Sequence, residues 1–309
     1  MASIAYLGPR GTFSQAALIE MSARGVCTGT VEELPADSTP AALEAVRAGT
    51  ADYACVPIEN SIDGSVAPTM DSLATGAPLQ IFGEVTLDVF FTIAVLPGVR
   101  AAQVRTVAAF PVAAAQVRNW LAHHLPDAEL VPAISNAAAA LDVTVGTADA
   151  GVTTALAGQM YGLEALADGV VDEANARTRF VLAGPPGPPP PRTGADRTSV
   201  VLRLANTPGA LVAALSEFAE RGIDLTRIES RPTRVELGTY FFFLDCVGHI
   251  DDGSVAEALK ALHRRCVDVR YLGSWPTGSP AGALPPTRDE LPGTDDAAHW
   301  LTGLREGRR

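Results

Sequence analysis

The segment Gly184-Pro-Pro-Gly-Pro-Pro-Pro-Pro191 divides the chain into two parts of unequal length. Prolines lack a backbone N–H and favour the extended polyproline II conformation, so this segment does not continue a helix or a central strand. We therefore interpret residues 184–197 as a semi-rigid linker. A larger body, residues 1–183, precedes the linker, and a smaller module, residues 198–277, follows it. This layout is typical of a body that carries a site and a module that controls it.

The length and charge of the chain indicate how many domains it has and which partners and chemistry are disfavoured. A chain of 309 residues favours two domains over one. The net charge of −12 disfavours a nucleic acid as partner, because neutralising phosphates requires a basic surface. A small anion stays compatible with this charge, since it responds to a local site. The only lysine, Lys260, lies in the module, which excludes lysine Schiff-base chemistry and a P-loop from the body.

The residues that bind metals or form disulfides are few and scattered. The cysteines at positions 27, 55, 246 and 266 show no paired spacing, which predicts reduced thiols in a cytoplasmic protein. His123 and His124 lie late in a predicted helix and are more typical of a solvated helix end than of a metal site. We therefore predict neither a metal nor another cofactor. The longest apolar run, Val89 to Leu96, is far shorter than the ~20 residues of a membrane span, and the N-terminus does not resemble a signal peptide.

The body begins with a strand that leads into a glycine-containing loop and a helix. Ile4–Leu7 is the predicted strand, and the helix begins near Phe13, with Thr12 and Gln15 in capping-box spacing. The free N–H groups of such a helix start suit a carboxylate or a phosphate. An ordinary capped helix is the alternative interpretation. A second strand, Tyr53–Pro57, is followed by polar residues from Glu59 to Ser65, the position where ligands usually bind in open α/β sheets.

A β-rich stretch from Leu79 to Leu96 is long enough to carry the chain into a second lobe, expected at about residues 84–165. This lobe repeats the alternation of strands and helices, and Ser135-Asn136 and Thr153-Thr154 cap two of the helices. The chain then returns through the strand Thr178–Ala183. Two α/β lobes joined by crossing strands predict a cleft between them.

The module shows the order β-α-β-β-α-β, which predicts a ferredoxin-like antiparallel sheet with its helices on one face. A module for stability or dimerisation, without a ligand, is the alternative. The last segment, residues 278–309, is rich in Gly, Pro and Ala and is expected to be disordered.

Six motifs, in order along the chain, together resemble prephenate dehydratases that carry a C-terminal ACT domain. The body contributes Tyr6–Ser14, Val56–Ser61 and Asn175–Phe180, and the module contributes Asn206–Leu211, Glu229–Pro232 and Tyr240–Asp245. The resemblance covers residues 3–277. It implies an α/β fold with a two-lobed catalytic domain like the type II periplasmic binding proteins, plus a ferredoxin-like α+β ACT domain. It also implies a lyase that removes water and carbon dioxide from prephenate to give phenylpyruvate, in L-phenylalanine biosynthesis.

The resemblance implies functional residues in both parts. Thr178 is the expected catalytic residue, and we expect it to donate a hydrogen bond to the departing hydroxyl. The expected substrate contacts are Gly11, Thr12, Ser14, Glu59, Asn60, Ser61, Gly64, Ser135, Asn136, Arg179 and Phe180. For Arg179, a scaffold ion pair is the alternative, because its side chain should point away from Thr178 on the same strand. For Glu59, a structural role is the alternative, because a dianionic substrate would repel an ionised carboxylate. Asn136 departs from the Ser-Thr pair that many family members carry before this helix.

The implied effector is L-phenylalanine, bound between two chains of a homodimer or homotetramer. Its expected contacts are Asn206, Pro208, Gly209, Ala210, Leu211, Glu229, Ser230, Arg231 and Pro232. Two other functions stay open at this point. One is a binding protein or sensor that uses the cleft without turnover, and the other is dehydration of arogenate in place of prephenate.

Overall fold

The computed structural model of the chain describes residues 1–27, 29–173 and 175–277. The expected disordered segment, residues 278–309, lies outside the described residues. Within the described residues, no helix has both the length and the apolar character needed to cross a membrane. The described strands form three sheets, one in each lobe of the body and one in the C-terminal module.

The first lobe is built around a mixed sheet in the order β2-β1-β3-β11-β5, with β4 paired to β3. Its strands are β1 (Ala2–Leu7), β2 (Val31–Ala36), β3 (Tyr53–Asn60), β4 (Gly64–Ser65), β5 (Gln80–Asp88) and β11 (Arg177–Gly184), and its helices are α1 (Phe13–Ala23), α2 (Thr39–Arg47) and α3 (Ala67–Ala74). β1 runs parallel to both neighbours, whereas β11 runs antiparallel to β3 and β5. The returning strand β11 is therefore central in the first sheet and brings Thr178 beside Asn60.

The second lobe has its own sheet, in the order β10-β6-β9-β7-β8. Its strands are β6 (Phe91–Val95), β7 (Thr106–Ala109), β8 (Glu129–Pro132), β9 (Ala150–Thr153) and β10 (Glu164–Val170); its helices are α4 (Pro111–Gln116), α5 (Arg118–His124), α6 (Asn136–Thr144), α7 (Ala155–Met160) and a 3-10 turn at Ala101–Gln103. The strands of this lobe span residues 91–170 rather than the expected 84–165, because β5 still belongs to the first sheet. The predicted helix that contains His123 and His124 begins only at Arg118, because the φ of −124° at Val117 is not helical and separates it from α4.

The two lobes meet at the loop that precedes α1. Thr154 caps α7 in the second lobe and also donates its hydroxyl to the carbonyl of Gly11 at 2.5 Å. Gly11 has a φ of +87°, and a Cβ at this position would lie 2.8 Å from the Cβ of Ala157. A glycine is therefore required here both for the left-handed backbone and for the close approach of α7. This contact holds the start of α1 at the boundary between the lobes.

The C-terminal module forms an antiparallel sheet in the order β13-β14-β12-β15, as the predicted ferredoxin-like topology requires. Its elements are β12 (Asp196–Arg203), α8 (Ala210–Ala219), β13 (Leu225–Pro232), β14 (Tyr240–Val247), α9 (Gly253–Arg265) and β15 (Asp268–Pro276). One face of the sheet, which includes Leu202 and Leu244, packs under the two helices against Phe218 and Leu262. The predicted fold class is confirmed for both parts of the chain.

The other face of the module's sheet packs directly on the first lobe. Phe243, Leu272 and Trp275 share one buried apolar cluster with Leu43 and Leu73 of the body. Because side chains alternate across a strand, one set of residues in β14 faces the helices and the other set faces the body. The linker is packed as well: the carbonyl of Pro190 lies 3.0 Å from Nε2 of His249. The semi-rigid linker therefore joins two parts that are in direct contact, since the module and the first lobe share a core.

Candidate active site

A cleft of about 800 Å³ lies between the lobes. The first lobe lines it with the loop before α1, the end of β2 and strand β11, and the second lobe adds Phe110 and the start of α6. Six of the residues predicted as catalytic or substrate-binding line this cleft: Thr12, Ser14, Ser135, Asn136, Thr178 and Phe180. Apolar side chains form much of the remaining wall, including Phe13, Pro57, Phe110 and Ile134. The cleft thus combines a few polar groups with aromatic walls, as small-molecule sites usually do.

Thr178 lies where β11 meets the cleft, and its hydroxyl is held by Asn60. The amide Nδ2 of Asn60 donates to Oγ1 of Thr178 at 2.9 Å. The amide oxygen of Asn60 accepts hydrogen bonds from the backbone N–H groups of Ile62 and Asp63, at 2.8 and 3.0 Å. These two bonds fix the orientation of the Asn60 amide, because only its NH₂ end is left for Thr178. Asn60 does not itself line the cleft, and it acts on the site through Thr178.

Two helix starts open onto the cleft from opposite lobes. Thr12 caps α1 and accepts from the N–H of Gln15, and the side chain of Gln15 accepts from the N–H of Gly11 at 2.6 Å. Ser135 caps α6 and accepts from the N–H of Ala138 at 3.0 Å. The first N–H groups of each helix have no partner within the helix, and the helix dipole makes both starts electropositive. The two lobes therefore present anion-binding groups to one cavity.

Asn136 adds a side-chain group to the start of α6. Its Oδ1 is buried and has no hydrogen-bond partner among the described residues. Its backbone carbonyl accepts from the hydroxyl of Thr153 at 2.7 Å, which ties α6 to β9. A buried amide oxygen without a partner is unusual, because such a group loses its hydration without compensation. Asn136 is therefore a polar group in the cleft wall with an unused acceptor.

Arg10 is the cationic side chain in the lining of this cleft, and the sequence analysis did not single it out. It lies in the loop before α1, on the same wall as Asp37. Within the motif Tyr6–Ser14, the arginine lies between the strand and the glycine that precedes the helix. One feature of the sequence could have identified Arg10 as a site residue: it is an arginine in a loop that leads to the start of a helix, where N–H groups bind anions.

Arg179 does not line the cleft, and its guanidinium is engaged in ion pairs instead. As the alternation along β11 predicted, Thr178 and Phe180 face the cleft while Arg179 points to the other side of the sheet. Its buried guanidinium pairs with Glu59 at 2.8 Å, with Glu84 at 3.2 Å and with Asp245 of the module at 3.0 Å. Burial of a guanidinium requires such partners, so the scaffold alternative describes this residue.

Gly11, another predicted contact, lies outside the cleft lining, and its carbonyl accepts from Thr154 of the second lobe. Three further predicted contacts, all within residues 59–64, also lie outside this lining. Glu59 pairs with Arg179 on the far side of the sheet. The hydroxyl of Ser61 donates to the carbonyl of Asn175 and accepts from the N–H of Arg177, each at 2.9 Å, and so ties the two crossing segments together. Gly64 lies in the short exposed strand β4 with a φ of +80°. These residues support the strands that carry Thr178, whereas the structure gives them no position on the cleft wall.

The predicted effector residues fall on two faces of the module. Asn206, Ala210 and Leu211 line a small hollow of about 130 Å³ together with Tyr240 and Phe242. Gly209, which follows Pro208, precedes α8 in the left-handed region with a φ of +81°. The start of α8 therefore lies on the face of the module's sheet that α8 and α9 cover.

The second effector motif alternates between these faces. Ser230 and Pro232 are paired with Phe242 and Tyr240 and share the face of the small hollow. Glu229 and Arg231 point toward the body, where Nε of Arg231 donates to Asp71 of α3 at 2.6 Å. The structure therefore places only Ser230 and Pro232 of this motif on the face of the small hollow, whereas the side chains of Glu229 and Arg231 are engaged at the contact with the first lobe.

Metal-ligating side chains do not gather in this structure. Within residues 1–27, 29–173 and 175–277, no group of three or more His, Cys, Asp or Glu side chains is arranged to hold a metal ion. The four cysteines are free thiols. Burial raises the pKa of the Cys55 thiol above its ordinary range, so this group is a buried apolar residue rather than a nucleophile.

Comparisons with known proteins agree with this arrangement of site and module. The family model of prephenate dehydratase matches residues 4–186, and the model of the ACT domain matches residues 198–264. A curated prephenate dehydratase of Mycolicibacterium vanbaalenii is 69% identical over 317 residues, which cover 100% of both chains. A crystal structure of prephenate dehydratase from Arthrobacter aurescens in complex with L-Phe is 40% identical, with a TM-score of 0.83 over 99% of this chain and 100% of that chain.

A solved structure with a different name shares the same fold. GqqA, described as a novel type of quorum quenching acylase, is 32% identical, with a TM-score of 0.79 over 90% of this chain and 98% of that chain. The family model and the full-length curated relatives agree with each other on the family. The chain therefore belongs to the prephenate dehydratase family, a family of carbon–oxygen lyases, and carries a C-terminal ACT domain.

Proposed function

We propose that this chain converts prephenate to phenylpyruvate, with Thr178 as the hydrogen-bond donor to the hydroxyl that leaves. The observation that carries the proposal is the hydrogen bond from Asn60 to Thr178 at the cleft wall. Because Oγ1 of Thr178 accepts this bond, its own hydrogen is available to another acceptor. No described residue accepts that hydrogen, and the hydroxyl lines the cleft. The Asn60 amide thus orients the threonine as a donor.

The chemistry of prephenate requires only a donor of this kind. The carboxylate on the ring leaves as carbon dioxide, its electron pair enters the ring, and the hydroxyl departs with one added proton as water. Formation of the aromatic ring makes the overall reaction favourable, so neither a strong base nor a covalent intermediate is needed. A positioned acid or donor typically contributes about 10²–10⁴-fold to such a step. Threonine is a weak acid, and we assign it the role of polarising the leaving oxygen or relaying a proton from water.

The remaining groups of the cleft suit the pyruvyl end of the substrate. Arg10 and the starts of α1 and α6 supply positive charge and N–H donors. We assign them to the pyruvyl carboxylate, which is kept through the reaction. The ring carboxylate should lie against the apolar wall near Phe13 and Phe180, because tight binding of the group that is lost would stabilise the reactant more than the transition state. In this arrangement the positively charged groups of the cleft contact the carboxylate that the product keeps.

The test is turnover of prephenate by the purified full chain. Phenylpyruvate formation, followed by its absorbance in alkali, should be observed both with and without a metal chelator. Arogenate should be compared in parallel, because an aminated side chain would fit a site of the same shape. Binding of prephenate without product would favour the sensor alternative. Hydrolysis of an acyl amide without phenylpyruvate formation would favour the activity for which GqqA is named.

We further propose that L-phenylalanine inhibits this chain through the ACT domain. Phenylpyruvate has the carbon skeleton of phenylalanine, so transfer of an amino group to it completes the amino acid, and inhibition by that product would control its biosynthesis. The Arthrobacter aurescens relative was crystallised with L-Phe. In this chain, the hollow beside Asn206 and Leu211 is the candidate effector site, with Ser230 and Pro232 on the same face.

A second copy of the chain is the expected partner at this face. β13 is an edge strand, and Ile228 on it is 52% exposed. The adjoining connection exposes Val235 and Leu237 almost completely. Exposed apolar residues beside an open strand edge are typical of an interface. We therefore propose a homodimer or homotetramer located in the cytoplasm, and light scattering of the purified chain with and without L-phenylalanine tests the oligomeric state.

A further inference from the structure

We propose that Asp245 of the ACT domain is a positioning residue for the reaction, because it holds Arg179 and through Arg179 the pair formed by Thr178 and Asn60. This inference rests on the role proposed above for Thr178. It assigns to the control module a residue that the active site needs even when no effector is bound.

The register between β11 and β3 places two cross-strand pairs of side chains next to each other. Thr178 lies opposite Asn60, and the next residue, Arg179, lies opposite Glu59. The first pair is joined on the cleft side by the 2.9 Å hydrogen bond between their side chains. The second pair is joined on the other side by the 2.8 Å ion pair. Two neighbouring cross-strand pairs therefore hold the same two strands from opposite faces, and a shift of Arg179 relative to Glu59 also moves Thr178 relative to Asn60.

The backbone hydrogen bonding between β11 and β3 is irregular next to these two pairs. Directly after Arg179 the register shifts, so that Phe180 lies opposite Pro57 and Ile58 is the extra residue of a bulge. Pro57 has no N–H to contribute to the ladder. Side-chain contacts therefore carry more of the alignment here than in a regular antiparallel pair.

Asp245 holds the guanidinium of Arg179 through one of its terminal nitrogens. The Nε of Arg179 is buried and has no hydrogen-bond partner among the described residues, so the terminal nitrogens alone fix this group. Nη1 bonds to Glu84, and Nη2 bonds to Glu59 and to Asp245. Asp245 is thus one of three anchors, and it is the anchor that the ACT domain supplies.

Asp245 is the carboxylate that three guanidinium groups share. Its buried carboxylate also accepts from Nε of Arg227 at 3.0 Å and from the hydroxyl of Ser199 at 2.7 Å, and Arg197 lies 3.4 Å away. Glu84 offsets part of this positive charge, at 3.2 Å from Arg179 and 3.6 Å from Arg197. Loss of the charge of Asp245 would still leave an excess of positive charge in a buried site, and we expect it to displace Arg179.

A docking role alone is the competing explanation, and the chain offers a matched control. Asp71 of α3 pairs with Arg231 and Arg234 of the ACT domain, at 2.6 and 2.7 Å. This contact also joins the ACT domain to the first lobe, but none of these residues is adjacent to Thr178 or Asn60 in the sheet. Loss of either aspartate weakens docking, whereas only loss of Asp245 disturbs the strand that carries Thr178.

The experiment compares Asp245→Asn with Asp71→Asn in the full chain, using prephenate turnover and thermal unfolding. Both variants should unfold at a lower temperature. Asp245→Asn should also lower kcat about 10- to 100-fold, the cost of a small misplacement at a reacting centre, while the KM for prephenate stays within about twofold. Asp71→Asn should keep the kcat of the unaltered chain. A kcat of Asp245→Asn within twofold of the unaltered chain, or an equal loss of kcat in both variants, would overturn the inference.

Two further measurements keep the inference testable if Asp245→Asn folds poorly. Ser199→Ala removes one hydrogen bond to Asp245 and keeps the charge, and it should lower kcat about 2- to 10-fold in the same direction. In a Thr178→Ala background, Ser199→Ala and Asp245→Asn should each reduce the residual activity by less than about twofold, because their effect acts through Thr178. An undiminished loss in that background would contradict the inference. If the unaltered chain does not convert prephenate, the proposed function fails instead.

Discussion

Thr178 and Arg179 are consecutive residues that belong to two different environments of the molecule. The hydroxyl of Thr178 lines the cleft between the lobes, and the guanidinium of Arg179 is buried at the contact with the ACT domain. The alternation of side chains along β11 produces this division. As a result, one strand passes through both the candidate active site and the domain interface, and the side chains that differ in function are one residue apart.

Replacement of Thr178 tests its role as donor. Thr178→Ala should lower kcat about 10²–10³-fold, because the leaving oxygen loses a preorganised hydrogen bond. Thr178→Ser keeps the hydroxyl and should retain most of the activity. Steady-state kinetics with prephenate, together with circular dichroism to verify the fold, gives the answer. A near-normal kcat in the alanine variant would show that the hydroxyl is not involved.

Arg10 is expected to act in binding rather than in turnover. Arg10→Ala should raise the KM for prephenate about tenfold and change kcat little, since the arginine holds a carboxylate that is present in both reactant and transition state. Arg24 offers a matched control, because it is exposed and paired with Glu20 on α1. Arg24→Ala should leave both constants unchanged. If kcat instead falls with KM unchanged, Arg10 acts only in the transition state and our assignment is wrong.

Inhibition by L-phenylalanine is expected to depend on the hollow beside α8. The loop before α8 contributes two polar side chains to this hollow, Asn206 and Thr207. Asn206→Ala should raise the half-inhibitory concentration about 3- to 10-fold, the value of one lost hydrogen bond. Inhibition curves at fixed prephenate concentration measure the shift. Asn119, on α5 of the second lobe, lies outside the ACT domain, and its replacement by alanine serves as the comparison. Equal sensitivity of both variants would remove the hollow as the effector site.

The contact between α3 and the ACT domain should weaken in acid. The hydrogen bond from Arg231 is the main reason that the pKa of Asp71 lies below its ordinary value. Below that ordinary value, near 4, the unfolded chain binds more protons at this residue than the folded chain. The stabilisation by Asp71 is therefore complete at neutral pH and is lost as the pH falls through the lowered pKa.

Asp71→Asn provides the measurement of this effect. The melting temperature of the variant should lie below that of the unaltered chain at pH 7, and the difference should shrink as the pH falls below about 4, because Asp71 then becomes neutral in both states. A difference that stays constant down to pH 3 would show that the charge of Asp71 does not contribute to docking.

Local patterns in the sequence predicted many of the features that the structure shows. The cap of α1 at Thr12, the cap of α6 at Ser135 and the element order of the ACT domain depend on neighbouring residues and on periodicity. The opposite directions of Thr178 and Arg179 follow from the same local rule. These features could be predicted because each depends on residues that lie close together in the sequence.

Local patterns did not indicate which surface each face of a strand contacts in the folded chain. Glu229 and Arg231 were assigned to an effector and Arg179 to a substrate, whereas all three side chains are engaged at the contact between the ACT domain and the first lobe. Arg10 was overlooked because nothing local shows that its loop borders the cavity. The hydrogen bond between Asn60 and Thr178 joins residues 118 positions apart and has no signature in either segment.

The amino-acid sequence by itself determined most of the order of strands and helices, the presence of a β-α-β-β-α-β module after a larger body, and the strand that carries the candidate donor. These properties follow from backbone preferences, capping and hydrophobic periodicity, which act over short distances. Only the tertiary structure decided that the bare face of the ACT sheet packs on the first lobe, and hence that Arg179 meets Asp245 rather than substrate. The physical reason is that an apolar sheet face is buried by whichever surface complements it, and a buried charge must then find its partners across that contact.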